Sequence, residues 1–139
     1  MKQTKSTKIS EVKREWHLID LKGKVLGRIA SDIAVLLMGK AKSNFVRNLD
    51  MGDFVVVINA KDFKVTGNKE KLKKYYRHSG YPGGLKTETL GDLRQRKPEN
   101  VIIHAVSGLL PQNRLKDKML SRLHVFEEEV HTFNDKFTK

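Results

Sequence analysis

Between Lys69 and Gly84 the chain sets five cations, Lys69, Lys71, Lys73, Lys74 and Arg77, against a single acid, Glu70, and interleaves them with Tyr75, Tyr76, His78 and Tyr81. Those types at that spacing suit a polyanion. Cations attract phosphates, flat rings stack on exposed bases, and Gly80, Gly83 and Gly84 let one backbone come close to another. The competing reading is a solvated charged hairpin whose tyrosines pack on their own core; composition favours binding. Cations this dense repel one another unless an anion intervenes, so the isolated chain is expected to hold the segment loosely.

Other chemistry finds no comparable set. Gly23-Lys-Val-Leu-Gly27-Arg28 follows a strand and opens a helix, where phosphate loops sit. It is not GxGxxG, and it is one residue short of GxxxxGK[ST], so no bound nucleotide is expected. A helix N-terminus beside Arg28 still suits a backbone phosphate of a large nucleic acid. The histidines at 17, 78, 104, 124 and 131 lack metal-ligand spacing, and with no cysteine a zinc site is not expected. His104, inside an apolar helical pattern, reads as a structural histidine. Asp50 and Asp53 flank Gly52 and read as a turn before a metal pair. Ser79 follows a histidine but lacks the Gly-x-Ser-x-Gly elbow. No catalytic residues, cofactor or metal are assigned.

The charge balance points the same way as the tyrosine–lysine segment. The 139 residues carry 28 Lys and Arg against 16 Asp and Glu, a net charge of +12. Such a surplus implies a polyanionic partner, nucleic acid before anionic membrane. No apolar run reaches the roughly 18 residues of a spanning helix. The N-terminus lacks the apolar stretch of a secretory signal and reads as a basic arm. Residues 1–42 hold ten basic and four acidic groups, and 61–97 hold eleven and four, whereas 43–60 and the last thirteen residues are slightly acidic. Cations therefore gather in connecting segments. Lys13, Arg14, Arg28, Lys40, Lys42, Arg47, Arg94, Arg114, Lys116, Lys118 and Arg122 join the hairpin residues as candidate nucleic-acid contacts.

Positioning such loops needs a firm core, and its spine is Phe54-Val-Val-Val-Ile58. An unbroken apolar run rich in β-branched residues reads as a strand covered on both faces. Trp16–Asp20 reads as an earlier strand. Ile29, Ile33, Leu36 and Leu37 fall on one helical face, with Gly39 as a stop. Strand, helix and buried strand make a parallel βαβ unit. Phe63–Thr66 suggests a short strand, the stretch from Lys69 through Gly80–Gly84 to the β-compatible Leu85–Leu90 a protruding hairpin or extended loop, and Asp92–Arg96 a helical turn. Pro98 starts a helix at its favoured first position, burying Val101, Ile102, Ala105, Val106 and Leu109. A second helix is expected over Arg114–Leu123, with Lys116, Lys118 and Arg122 outward. Val125-Phe126 suggests a short strand, and the acidic tail looks poorly ordered. A single domain is expected: arm 1–15, α/β core 16–126, tail 127–139.

Several stretches are recognisable in order: Glu11–Arg14, Trp16, Asp20, Leu26–Ser31, Gly52–Ala60, Thr66–Lys69, Tyr75–Gly84, Gly108–Pro111 and Asn113–Leu115. From about Glu11 to Phe126 the chain resembles the bacterial-type large-subunit ribosomal protein L-thirteen family. The tyrosine–histidine–glycine loop and Gly-Leu-Leu-Pro are its most specific parts. The resemblance implies a three-layer α/β/α fold with a small, mostly parallel sheet and no enzymatic activity. It further implies binding to large-subunit ribosomal RNA during early assembly, as a monomer beside neighbouring ribosomal proteins in a cytoplasmic ribosome. Leu109 stands for a usual methionine, a volume-conserving change. Arg47-Asn48 replace a usual Pro-His pair. The tail after Phe126 departs from the family pattern, so no contact is carried over there. The alternative reading is a nucleic-acid-processing or RNA-modifying enzyme on a nucleotide-like α/β core. It needs a carboxylate cluster or cofactor loop that is not evident.

Overall fold

The computed structural model describes residues 7–137, so the first six residues of the expected basic arm lie outside the described residues. Strand β1 (Trp16–Asp20) leads through helix α1 (Leu26–Met38) to β2 (Phe54–Ile58), and the two strands pair in parallel. A cationic excursion follows: α2 (Lys69–Leu72), β3 (Lys74–His78) and β4 (Leu85–Thr89). Helices α3 (Leu90–Arg96), α4 (Pro98–Leu109) and α5 (Lys116–Leu120) then bring the chain back to β5 (Leu123–Val125). The sheet order is β1-β2-β5, all parallel, with β2 in the centre as its uninterrupted apolar run requires.

Alternation along β2 divides the core. Val55 and Val57, with Leu123 of β5, face one side and pack with Leu26, Ala30, Ile33, Ala34 and Leu37 of α1 and Val101, Ile102 and Val106 of α4. Burying Val55, Val56 and Val57 completely contributes about 1.5–3 kcal/mol each. On the opposite side Trp16 stacks on Phe54 at 4.4 Å and lies 6.1 Å from His124. Phe133 and Phe137 close over them, with Phe133 5.1 Å from Trp16 and 4.5 Å from His124. The α/β architecture with a small parallel sheet is thus present, its second face covered by the C-terminal segment and the 3-10 turn Asn134–Lys136.

That covering corrects the expectation of a poorly ordered tail. Phe126 N–H donates to Val57 O and Asn59 N–H to Glu128 O, so the tail starts as an extension along β2. Lys61 pairs with Glu127 at 2.7 Å. The apolar face of β2 needs a cover, and the aromatic residues of the tail supply it.

Three further expectations change. The second helix is only Lys116–Leu120, because Leu123 is recruited to the sheet opposite Val55. Leu109 is exposed and Leu110 is buried in its place, since α4 ends between them. Phe63–Thr66 contributes a single parallel bridge, Val25 to Lys64, rather than a strand.

Between α1 and β2 the chain must turn back tightly. Gly39 caps α1 in the left-handed region (φ +71°). A Cβ on Gly52 would overlap the Leu37 carbonyl, so only glycine lets these backbones meet. Lys42 clamps the connection by donating to Lys13 O at 2.6 Å, Met51 O at 2.9 Å and Asp53 Oδ1 at 2.5 Å. Burial by itself would raise the Asp53 pKa. The Lys42 ammonium, the Glu15 N–H and His17 outweigh that effect and hold the carboxyl below the usual aspartate range. The Asp50/Asp53 pair is therefore built into internal ion pairs, and neither the simple turn nor the metal pair describes it.

Candidate nucleic-acid interface

Preceded by the short helix α2, the chain forms a hairpin over residues 74–89, the more regular of the two expected forms. Five cross-strand pairs run from Lys74–Thr89 to His78–Leu85. The tip closes through Ser79 N–H to Gly84 O and Gly84 N–H to Tyr81 O, with Gly80 and Gly83 at positive φ. At the base, Thr89 and Asp92 form a reciprocal capping box that starts α3 directly from the end of β4. The spacing Thr-x-x-Asp was legible in the sequence and places the helix start earlier than the expected Asp92.

The hairpin divides its tyrosines. Tyr76 and Tyr81 are 67% and 76% exposed, leaving their rings free for stacking. Tyr75 is half-buried, leans on His104 at 5.4 Å and packs against the core. Burial raises the pKa of its phenol. Tyr75 thus anchors the hairpin, and His104, read from sequence as structural, is an exposed residue on the surface of α4.

The candidate cations fall into two groups. Lys13, Arg28, Lys40, Arg47, Lys69, Lys71, Lys73, Lys74, Arg77, Arg114 and Lys118 are exposed, as are His78, Gly80 and Gly83. Others are committed to the fold. Arg94 donates to the carbonyls of Lys61 and Phe63 and pairs with Glu70 at 2.8 Å. Lys116 donates to Gln112, Lys42 is the clamp described above, and Arg14, although exposed, reaches Asp50 at 3.3 Å. Gly84 is partly buried against Ser79.

Arg122 is a correction. Expected to point outward, it is 4% exposed and holds both oxygens of Asp50 at 2.5 Å. With α5 ending before it, Arg122 turns inward and spends its guanidinium on Asp50 and the Leu37 carbonyl.

At Gly23–Arg28 the helix start is largely used. Leu26 N–H donates to Lys64 O, and Arg28 and Ile29 N–H both donate to Val25 O. Few free donors remain there for a phosphate. Among the described residues no three or more His, Cys, Asp or Glu gather as metal ligands, and no helix is long and apolar enough to cross a membrane.

Lys86, Arg96 and Asn100 were missed by sequence reasoning. With Tyr75, Arg77, Glu88 and His104 they line a cleft of about 280 Å³ between the hairpin and α3–α4. The sequence signal for Lys86 is its register opposite Arg77, which needs the hairpin's turn length to be known.

A parallel α/β core carrying a projecting cationic hairpin defines the class of protein. Within that class the chain belongs to the Ribosomal protein L13 family, whose model matches residues 14–132. A large ribosomal subunit protein uL13 of Dehalococcoides mccartyi is 55% identical over 92% of this chain and 90% of its own length. Those of Lawsonia intracellularis and Geobacter sulfurreducens are 50% and 49% identical over 93% and 94% of this chain, and 90% and 92% of their own lengths. The family is structural, so this chain is a ribosomal protein and not an enzyme.

Proposed function

We propose that this chain is a structural constituent of the large ribosomal subunit. In this reading it binds large-subunit ribosomal RNA and supports the early assembly of that RNA, as a monomer beside neighbouring ribosomal proteins in the cytoplasm. The β3–β4 hairpin with α2 carries the reading. Lys69, Lys71, Lys73, Lys74 and Arg77 are all exposed there, and Tyr76 and Tyr81 present free rings beside them. A compact core fixes the base of the hairpin while the cations neutralise closely packed phosphates. The relatives' printed name, large ribosomal subunit protein, supports the same assignment. Lys13, Arg28, Lys40, Arg47, Arg114 and Lys118 extend the cationic surface.

Two measurements test it. On a sucrose gradient of a cell lysate the chain is expected to sediment with large subunits. In binding to a large-subunit RNA transcript, log affinity is expected to fall linearly with log salt concentration. Sedimentation only at the top of the gradient, or a salt slope near zero, would refute it.

A further inference from the structure

We infer that the cleft between the β3–β4 hairpin and α3–α4 takes a single unpaired nucleotide of the bound RNA. The inference rests on the RNA-binding reading above and assigns a place within it. Arg77 and Lys86 sit directly opposite each other across the hairpin. Like charges in that position destabilise a strand pair unless an anion lies between or over them. The acid next along the same face, Glu88 opposite Tyr75, is already held by Arg96 at 2.6 Å and does not neutralise them. The side chains of Arg77 and Lys86 form no ion pair or hydrogen bond among the described residues, nor does the Asn100 amide.

The cleft offers each part of a nucleotide a partner. Its volume of about 280 Å³ accommodates one nucleotide and excludes a duplex. The exposed His104 ring, backed by Tyr75 at 5.4 Å, presents a flat stacking face. The Asn100 amide, one helical turn before His104, can both donate to and accept from a base edge. Arg77 and Lys86 supply the charge for the phosphate. Single-stranded RNA is read in this way, with bases splayed onto rings and hydrogen-bonded at their edges.

The full-length chain is bound to large-subunit RNA carrying 4-thiouridine, irradiated, and digested for mass spectrometry. Crosslinks are expected in the peptides holding Tyr75–Arg77 or Asn100–His104, and to an unpaired nucleotide. In parallel, His104→Ala is expected to weaken affinity about ten-fold with an unchanged salt slope, as loss of one stacked base does, and Asn100→Leu to weaken it about as much by removing the base-edge hydrogen bonds. Arg77→Ala with Lys86→Ala should lower both affinity and slope. Circular dichroism confirms folding of each variant, and the crosslinks need no variant at all. If the wild-type chain binds no large-subunit RNA, the proposed function itself fails. If it binds, but crosslinks fall only on α2 and the hairpin tip and the cleft variants bind like wild type, the cleft assignment alone is overturned.

Discussion

Arg122 and Asp50 meet through a two-pronged ion pair, each guanidinium terminus 2.5 Å from one carboxylate oxygen, with side chains only 5% and 13% exposed. A third hydrogen bond from Arg122, to Leu37 O at 3.3 Å, ties the end of α1 to the strand that follows α5. The fork geometry suits a guanidinium and no other cation. Removing one partner leaves the other charge buried and alone.

Arg122→Ala is therefore expected to cost about 3–5 kcal/mol of stability in urea unfolding. Arg122→Lys should recover little of it, because one ammonium nitrogen cannot reproduce the planar two-nitrogen fork that meets the two Asp50 oxygens side by side. RNA affinity of the folded fraction should match wild type. A selective affinity loss in a stable Arg122→Ala protein would return this residue to the RNA surface.

The hairpin makes the opposite prediction. Lys73, Lys74 and Arg77 are exposed, so replacing all three by alanine should change stability by no more than about 1 kcal/mol. RNA affinity should drop, and the salt slope should shrink by roughly 0.7–0.9 for each phosphate that is no longer neutralised. Unchanged affinity with a large stability loss would make the segment part of the core.

How much of this was legible before the structure depends on the range of the interaction. The buried strand Phe54–Ile58, its parallel neighbour and helix α1 follow from local periodicity, which the chain obeys there. The hairpin's cations were equally visible, being local in composition. Arg122 was misplaced because a helical pattern continues through it, while its fate is decided by Asp50, distant in sequence, and by Leu123 joining the sheet. The tail was misjudged on net charge. Phe126 just before it, and Phe133 and Phe137 among its acids, set against an apolar strand with one face still uncovered, were the sign that it docks. The cleft was hidden because it joins two strands of a hairpin to two helices, and no single window of sequence contains all of them.

Two glycines separate binding from folding. Gly83 lies at φ +71° with open space where a Cβ would stand, so Gly83→Val strains the tip locally, by about 1–2 kcal/mol. Gly52→Ala meets the Leu37 carbonyl instead and forces α1 away from β2. The valine variant is expected to bind RNA poorly while its melting temperature falls by only about 3–7 °C, as that strain implies. The alanine variant is expected to lose at least the roughly 1–3 kcal/mol of an overpacked core. Melting curves and RNA affinities that reversed this pattern would exchange the roles given to the two glycines.

The aromatic cover of the sheet has a pH dependence whose sign follows from His124. Burial against Trp16 and Phe133 lowers its pKa below the ordinary value near 6.5. The unfolded chain thus takes up a proton at a higher pH than the folded one, so stability rises with pH wherever this difference operates. The His124 contribution is complete above the ordinary value and is lost progressively as pH falls below it toward the folded one. Trp16 is the chain's single tryptophan and stands in the middle of the stack, so its emission reports the cover directly. Acidification from about pH 8 to about pH 5 should lower the urea midpoint and shift Trp16 emission to the red at lower urea. His124→Gln should flatten that dependence, since glutamine has no proton to gain. Phe133→Ala should shift Trp16 emission to the red even at pH ~8, with a stability loss below the roughly 3–5 kcal/mol of a fully buried phenylalanine, because Phe133 is only half-buried. A Trp16 spectrum indifferent to Phe133→Ala would mean that the tail does not cover the sheet in solution.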